Sequence, residues 1–275
     1  MIDRRMVLSR GILGSAGLAL AAPTRLLAQM NGFAQPAPLV PVIARPDRIF
    51  HVTVCLRPFR AKGPRIEMET IGSKQVLHHY GHGGSGWSLS WGSALEAVPM
   101  ALATGAKEIA VIGAGAIGLT TAITAQRMGA KVTIYAKERF PDVRSARATG
   151  TWSPASRVAM AGATDAAFTE KWERMTRRSF AVHQGFLGIA GNPVEWTDRY
   201  GLSDAPSVRG PSSPIQMPGG GTDSFFNQEE RVRDLTPRPE TLLPGQHPFP
   251  VADVRKSTSL TFNVTDLGRQ LESDF

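Results

Sequence analysis

Residues 108–118 read EIAVIGAGAIG, and this stretch decides the fold. Its apolar start predicts a short buried strand over residues 108–112, and residues 116–128 predict a helix that ends before Gly129. A second short strand is predicted over residues 131–135. Strand, glycine-rich turn, helix and strand in this order form the unit in which G-x-G-x-x-G binds a dinucleotide.

Each glycine of this motif has its own physical role. Gly113 permits the tight turn after the strand, and Gly115 lets the backbone approach a pyrophosphate because it has no Cβ atom. Gly118 allows the helix and the strand to pack closely, and the helix N-terminus presents free N–H groups to the phosphates. An acidic residue after the second strand should bind the ribose; Glu138 is the nearest, because Ala136 holds the usual position.

A second glycine-rich stretch precedes this unit. Residues 81–87 read GHGGSGW, with glycine at four of the first six positions. So many glycines leave backbone amides free to approach a large planar or anionic ligand. A nicotinamide enzyme does not need such a second site, and residues 144–154, RSARATGTWSP, also favour FAD over NAD.

Composition and charge exclude several classes of protein. The 275 residues are 42% hydrophobic and 20% charged, which is an ordinary globular balance and excludes wholesale disorder. A single cysteine excludes an intramolecular disulfide, the histidines form no H-E-x-x-H pattern, and no metal site is predicted. The formal charge of +8 is spread without a long basic run, which indicates anionic small ligands and no nucleic-acid partner.

The first residues have the features of an export signal. Arg4 and Arg5 precede an apolar run over residues 11–22, which is too short to span a bilayer as a helix of ~20 residues. The adjacent arginines resemble a twin-arginine signal, with cleavage predicted after Ala28. We therefore expect an exported, periplasmic protein without stable membrane insertion; a frayed amphipathic helix is the alternative interpretation.

Periodicity and turn residues predict the remaining elements. The predicted strands are residues 49–56, 65–69, 75–80, 193–197 and 259–264, and the second and third of these form a hairpin around Gly72 and Ser73. The predicted helices are residues 93–103, 165–187 and 266–275. Between residues 203 and 250, prolines and glycines recur every few positions, which predicts a long functional or mobile loop.

Several of these stretches together resemble one family. Residues 79–92, HYGHGGSGWSLSWG, are very similar to the flavin-binding signature of the D-amino-acid oxidase family. Residues 56–60, LRPFR, resemble the L-R-P-x-R element of that family, and residues 138–140 (ERF) and 150–154 (GTWSP) resemble its N-terminal half. The resemblance covers residues 49 to 275, but here the histidine–glycine motif precedes the nucleotide unit, as in a circular permutation. The family's lid tyrosines have no counterpart, as in a truncated chain.

The resemblance implies a fold and a domain organisation. The implied fold is α/β, with a Rossmann-like FAD-binding domain interleaved with a mixed-sheet substrate domain. The implied segments are an export signal over residues 1–28, a tether over 29–46, substrate-domain strands over 47–80, an FAD-binding core over 81–160, and an incomplete helical and loop-rich remainder of both domains over 161–275.

The resemblance also implies a reaction and its residues. The CH–NH2 group of a D-amino acid would be oxidised to an imino acid, which hydrolyses to a keto acid and ammonia, while oxygen becomes hydrogen peroxide. Arg60, or in second place Arg57, would bind the substrate carboxylate through its planar guanidinium, and the Gly84 carbonyl would meet the substrate amine. The residues implied to bind FAD are His82, Gly83, Ser85, Gly86, Ser88, Gly113, Gly115, Ile117, Gly118, Glu138, Arg139, Ser145, Gly150 and Thr151, with Arg144 as a further phosphate contact.

Two alternative functions stay open on the sequence. A chain without a closed active site would be a non-catalytic or truncated flavin-binding protein, which binds flavin without substrate-dependent bleaching. A nicotinamide-dependent reductase would leave residues 80–92 unexplained and ranks last. The sequence determines neither the substrate side chain, nor the true electron acceptor, nor the oligomeric state.

Overall fold

The computed structural model describes residues 43–49, 51–204, 214–216 and 220–275. Thr53–Phe275 form one compact unit and Met1–Val52 another; in the latter, Pro46–Arg48 form a single turn of 3-10 helix. The predicted export signal and most of the predicted tether lie outside the described residues. Within the described ranges, no helix is long and apolar enough to cross a membrane.

Helices and strands alternate along most of the larger unit. In chain order they are β1 (Arg65–Ile71), β2 (Lys74–Tyr80), α1 (Gly86–Leu102), β3 (Glu108–Ile112), α2 (Ala116–Arg127), β4 (Lys131–Tyr135), α3 (Ala166–Gln184), β5 (Val194–Ser203), β6 (Ile215–Gln216), β7 (Thr222–Asp223), β8 (Glu240–Leu242), β9 (Asp253–Phe262) and α4 (Val264–Asp274).

The strands form small sheets, each of a single type. β3 and β4 pair in parallel, as the crossover through α2 requires, and Ile112 lies opposite Tyr135. β1 and β2 form an antiparallel hairpin, and β9 lies between β5 and β8, antiparallel to both. The α/β class is as predicted, but the β5–β9–β8 sheet is antiparallel where a mixed sheet was predicted.

The bounds of the elements around the first glycine motif are confirmed, but the burial predicted for β3 is wrong, because only Val111 of this strand is buried. β3 and β4 have the predicted bounds, α2 ends one residue before the prediction, and Gly129 has the positive φ of 92° that ends a helix. The β1–β2 hairpin around Gly72 is confirmed as well. Here local signals suffice, because each element is short and bounded by a glycine.

Two predictions for the N-terminal half of the chain are wrong: one strand does not form, and one helix begins earlier than predicted. No strand forms in the described part of residues 49–56, where Val52 and Val54 are 78% and 76% exposed, because β-branched residues need a partner strand. The helix predicted from residue 93 begins at Gly86. Burial of Trp87 and Trp91 overrides the poor helix propensity of the serines between them and of the glycines on either side.

The C-terminal elements are longer or more regular than predicted. β5 and β9 exceed their predicted lengths because each hydrogen-bonds to the other over ten residues. The Pro/Gly-rich stretch 203–250 contains β6, β7, β8 and a 3-10 segment over Glu229–Leu235 in its described part. α3 begins after Asp165, whose Oδ1 accepts a hydrogen bond from the Phe168 N–H at 2.8 Å, and it ends at Gln184, before the predicted end.

Helices α1 and α3 pack against each other at one close contact. A Cβ atom on Gly92 of α1 would collide with the backbone of Met175 in α3. The Gly92 N–H donates a hydrogen bond to Ser179 Oγ at 2.7 Å, so a side-chain oxygen of α3 reaches the α1 backbone. Glycine at this position therefore sets the distance between the two helices.

Replacing Gly92 with alanine is expected to lower the free energy of unfolding by about 2 kcal/mol, because the added methyl overpacks a backbone contact. Urea denaturation would measure this difference. Gly86→Ala in the same helix is the matched control, because no atom lies within 4 Å of its Cβ position. Equal stability of the two variants would contradict this account of the helix contact.

Candidate functional site

The turn between β3 and α2 has the geometry of an anion site. Gly113 has a φ of 105°, and no atom lies within 4 Å of the place where its Cβ would stand. A Cβ on Gly118 would collide with the Gly113 carbonyl oxygen, so only glycine fits there. α2 begins after Gly115 without a side-chain cap, and Ile117 and Gly118 in its first turn have no intrahelical acceptor for their N–H groups.

Ser145 connects this turn to the second glycine motif. Its Oγ accepts a hydrogen bond from the Ala116 N–H at 3.0 Å and lies 2.9 Å from the Cβ position of Gly115. Its carbonyl accepts a hydrogen bond from Trp87 Nε1 at 2.9 Å. Trp87 stands in the first turn of α1, so the two glycine motifs, far apart in sequence, are fixed against each other through Ser145.

The two charged residues predicted after β4 have different surroundings. Glu138 is exposed. Arg139 forms an ion pair with Glu272 at 3.1 Å, so part of its guanidinium is already engaged by a carboxylate of the protein. A cavity of about 310 Å³ lies beside this ion pair, beyond the carboxyl ends of β3 and β4, where ligands of open α/β sheets bind. The cavity is lined by Ala114, Leu119, Ile134, Ala136, Arg139, Glu272 and Phe275.

The glycines of the second motif approach another backbone segment. The Gly84 N–H donates to the Ser156 carbonyl at 2.9 Å, and a Cβ on Gly83 would collide with the Arg157 carbonyl oxygen. Gly86 differs, because no atom lies within 4 Å of its Cβ position. Glycine is therefore needed at positions 83 and 84 for close packing against the protein itself, whether or not a ligand binds. Gly86, in contrast, faces open space.

The serines of this motif hold the same segment. Ser85 Oγ donates to the Ser156 carbonyl at 3.0 Å, and Ser88 Oγ accepts from the Ser153 N–H at 2.8 Å. Both hydroxyls, predicted to line a flavin, thus form hydrogen bonds within the chain. They place residues 153–156 directly beside the start of α1.

Gly150 and Thr151 lie at the edge of the β5–β9–β8 sheet. A Cβ on Gly150 would collide with the Phe262 carbonyl oxygen, and the Gly150 carbonyl accepts from the Phe262 N–H at 2.6 Å. Thr151 pairs with Thr261 in an antiparallel bridge. The segment that the sequence assigns to the cofactor therefore connects α1 to this sheet.

Arg60 also lies against the histidine–glycine motif. A Cβ on Gly81 would collide with the Arg60 side chain, and the Arg60 guanidinium carbon is 5.6 Å from the centre of the Tyr80 ring. Arg60 Nε donates to the Gly63 carbonyl at 3.3 Å, and the terminal guanidinium nitrogens bind no residue that the structure describes. Arg57 is also partly buried, and the carbonyl of the next residue, Pro58, accepts a hydrogen bond from the Gly83 N–H at 3.1 Å.

Two histidines, the buried His82 and the partly buried His79, have unmet hydrogen-bonding capacity. His82 is 1% exposed, and neither of its ring nitrogens has a hydrogen-bond partner among the residues that the structure describes. His79 Nδ1 lies 2.9 Å from Thr121 Oγ1, its ring centre is 5.3 Å from that of His82, and its Nε2 has no partner. Burial holds the pKa of His82 well below its usual range and lowers the pKa of His79 to about 4, so both rings are neutral at pH 7.

These features fit a dinucleotide such as FAD. The open backbone at Gly113 and the N–H groups of Ile117 and Gly118 in the first turn of α2 suit a pyrophosphate. At the second motif, open space at Gly86 and the unpartnered His82 nitrogens suit the polar edge of a large planar ring. Reasoning from the sequence missed the Trp87–Ser145 hydrogen bond and the position of Arg157, because no local pattern signals contacts between residues so far apart.

Comparisons with known proteins agree with this site. Residues 108–242 match the family model described as FAD dependent oxidoreductase (DAO). The chain is similar to a D-amino-acid oxidase of Dictyostelium discoideum, with 53% identity over 51 residues, or 18% of this chain and 14% of the relative. It is similar to a D-aspartate oxidase of Talaromyces thermophilus, with 51% identity over 49 residues, or 18% of this chain and 13% of the relative.

A D-amino-acid oxidase of Rubrobacter xylanophilus has 45% identity over 58 residues, or 21% of this chain and 18% of the relative. In each case the match spans less than a fifth of the length of the curated relative. The matched names agree with the family model, and the model covers both β3–α2–β4 and the residues that follow it. Through residues 108–242 the chain is therefore similar to the DAO family of FAD dependent oxidoreductases, and this similarity supports FAD as the cofactor.

Proposed function

We propose that this protein oxidises the CH–NH2 group of a D-amino acid to an imino acid, with oxygen as the electron acceptor. The imino acid then hydrolyses to a keto acid and ammonia, and oxygen is reduced to hydrogen peroxide. The observation that carries the proposal is the pair of hydrogen bonds at Ser145, to Trp87 and to Ala116. They place a histidine–glycine motif and a nucleotide motif side by side, which a dinucleotide-binding fold alone does not require.

The residues that would hold FAD lie in two groups. Gly113, Gly115, Ile117 and Gly118, with Ser145, would hold the pyrophosphate at the N-terminus of α2. Residues 82–88 and 150–151 would line the flavin end. When bound there, FAD supplies the two-electron acceptor for the amino acid.

The substrate would bind beside residues 81–84. The Arg60 guanidinium, whose terminal nitrogens bind no described residue, would pair with the α-carboxylate in two parallel hydrogen bonds. The Gly84 carbonyl would accept a hydrogen bond from the amine. Holding both groups fixes the orientation of the Cα–H bond, and such positioning supplies much of the rate in reactions of this kind.

Export to the periplasm is part of the proposal. It rests on the adjacent Arg4 and Arg5 and the short apolar run after them. Because twin-arginine export carries folded proteins, the cofactor would be acquired in the cytoplasm.

One observation favours a second candidate function, a flavin-binding protein without turnover. β3 pairs only with β4 among the described strands, and Ile112 and Tyr135 on their outer face are 81% and 59% exposed. Parallel strands are ordinarily covered on both faces. A sheet left open in this way is compatible with a site that binds flavin but does not close over a substrate.

The visible flavin spectrum decides between the two functions. The purified mature protein, loaded with FAD under anaerobic conditions, is expected to bleach on addition of mixed D-amino acids. The corresponding L-amino acids are the control and should leave the spectrum unchanged. A flavin spectrum that D-amino acids do not change would support binding without turnover, and failure to bind FAD would overturn both.

Replacing Arg60 with alanine is expected to raise the KM for D-amino acids at least tenfold, because a charge-assisted bidentate contact is lost. Steady-state oxidation measures this change, and the FAD content of the variant should equal that of the parent protein. Lysine at this position should restore only part of the loss, because its ammonium cannot form the planar fork. An unchanged KM in the alanine variant would transfer the role to Arg57.

A further inference from the structure

His183 is a buried histidine that the proposed reaction does not use. It lies in the last turn of α3, is fully buried, and its Nε2 is 3.0 Å from the Trp87 carbonyl oxygen. A carbonyl can only accept, so the neutral ring carries its proton on Nε2 and donates it to Trp87. The other ring nitrogen, Nδ1, has no hydrogen-bond partner among the described residues, and burying it costs free energy. An apolar side chain would avoid this cost, so the hydrogen bond to Trp87 is what histidine specifically contributes.

A phenylalanine at the end of β9 packs against both residues of this hydrogen bond. The centre of the Phe262 ring is 4.6 Å from that of His183 and 6.4 Å from that of Trp87. On another side, the Trp87 ring centre is 6.0 Å from that of Phe140. His183 and Trp87 lie 96 positions apart in the chain, yet a hydrogen bond and a shared aromatic neighbour hold them together.

From Trp87 the contacts continue to the nucleotide turn. Trp87 Nε1 donates to the Ser145 carbonyl at 2.9 Å, and Ser145 Oγ accepts from the Ala116 N–H at 3.0 Å. The same Oγ lies 2.9 Å from the Cβ position of Gly115. Each of these contacts joins a different segment of the chain, so a displacement of Trp87 would move Ser145 relative to the first turn of α2.

His183 is the group that ties this series of contacts to another helix. Ser90 Oγ also donates to the Trp87 carbonyl, at 3.0 Å, but Ser90 belongs to α1 like Trp87 and cannot fix that helix against α3. We propose that His183 is a positioning residue for the FAD site: its hydrogen bond holds Trp87, and through Trp87 it holds Ser145 where the pyrophosphate would bind. This inference rests on the proposed function and adds to it a residue that lies outside both glycine motifs.

The first test is a fluorescence titration of the protein with FAD. His183→Leu removes the donor and should raise the dissociation constant of FAD about tenfold, because Trp87 is no longer held. His183→Gln keeps a donor and should bind FAD nearly as the parent protein does. An unchanged dissociation constant in His183→Leu would overturn the inference.

Ser179→Ala is the matched control for this titration. Ser179 is also a buried residue of α3 that hydrogen-bonds the α1 backbone, since its Oγ accepts from the Gly92 N–H at 2.7 Å. Urea denaturation should show that this variant is less stable than the parent protein, whereas its affinity for FAD should not change. If Ser179→Ala weakened FAD binding as much as His183→Leu, the effect would be general destabilisation and the inference would fail.

A double-mutant cycle tests whether His183 acts through Trp87. Trp87→Phe keeps an aromatic ring but removes the N–H that reaches Ser145, so it should itself weaken FAD binding. In this background, His183→Leu should raise the dissociation constant further by less than about twofold, because the connection to Ser145 is already absent. Effects that multiply, or a Trp87→Phe variant that binds FAD as the parent protein does, would overturn the inference.

The indole N–H resonance of Trp87 measures the position of this ring directly. The chain has five tryptophans, and the resonance that disappears in Trp87→Phe is that of Trp87. His183→Leu should shift it in both FAD-loaded and FAD-free protein, and Ser179→Ala should leave it in place; an unshifted resonance in His183→Leu would contradict the inference. A parent protein that binds FAD but does not oxidise D-amino acids would overturn the proposed reaction alone, because the titration and this resonance still test His183.

Discussion

A Gly118→Ala variant is expected to lose bound FAD completely on gel filtration. The added methyl would collide with the Gly113 carbonyl oxygen, so the turn and the first turn of α2 would have to separate. Overpacking a contact of this kind costs about 3 kcal/mol. Because the strain falls on the turn that would bind FAD, this cost corresponds to a more than 100-fold higher dissociation constant for FAD. The ratio of flavin to protein absorbance measures retention, and a fluorescence titration gives the dissociation constant.

Gly129→Ala is the matched control for this variant. Gly129 ends the same helix with a φ of 92°, and no atom lies within 4 Å of its Cβ position. Alanine there adds backbone strain of about 1 kcal/mol without touching the turn, so stability should fall slightly and FAD affinity should stay the same. If Gly118→Ala bound FAD as the parent protein does, the pyrophosphate would not lie at this turn.

The second large effect is a loss of stability in mild acid. Burial lowers the pKa of His79 and of His183 to about 4 from the usual 6.5, and it holds the pKa of His82 well below 6.5. Above pH 6.5 the rings are neutral in both the folded and the unfolded protein, and they do not affect stability. As the pH falls below 6.5, only the unfolded chain takes up protons, so the free energy of unfolding decreases.

The expected decrease in the free energy of unfolding between pH 7.5 and 5 is about 2 kcal/mol each for His79 and His183. Within this pH range, carboxylates with lowered pKa values, such as those of Glu173 and Asp234, stay ionised in the folded protein. Urea denaturation at several pH values measures the slope. A stability that does not change over this window would mean that the three rings can take up protons in the folded protein.

His183→Gln isolates one of these rings. His183 Nε2 lies 3.0 Å from the Trp87 carbonyl, and a glutamine amide can donate the same hydrogen bond without titrating. This variant is expected to lose about 2 kcal/mol less stability than the parent protein between pH 7.5 and 5. His51→Gln, at an exposed position, is the control and should follow the parent protein.

Local signals in the sequence were sufficient for the nucleotide unit. In β3–α2–β4 a short apolar strand, a glycine turn and a helix with a glycine after its end follow one another within a short stretch. Each boundary depends on residues close to it in the chain, so the pattern predicts the elements almost to the residue. Gly113 and Gly118 have the conformation and the close packing that their spacing predicts.

Tertiary contacts decided the remaining elements. Residues 49–56 have the alternation of a strand but no partner to pair with, and they form none in their described part. β5 and β9 are long because they pair with each other, and α1 begins at Gly86 because Trp87 and Trp91 are buried. Partners of this kind come from distant parts of the chain, which propensity and periodicity do not reveal.

The same division applies to the candidate site. The sequence by itself determined the two glycine motifs, their likeness to one flavoenzyme family, and the residue types that could bind phosphate and carboxylate. Only the tertiary structure decided that Trp87 joins the motifs through Ser145, that Glu272 engages Arg139, and that the backbone beside Gly83 holds Arg157 in a left-handed conformation. The physical reason is that a motif specifies local backbone geometry, whereas the groups that meet a ligand are selected by contacts between segments far apart in the chain.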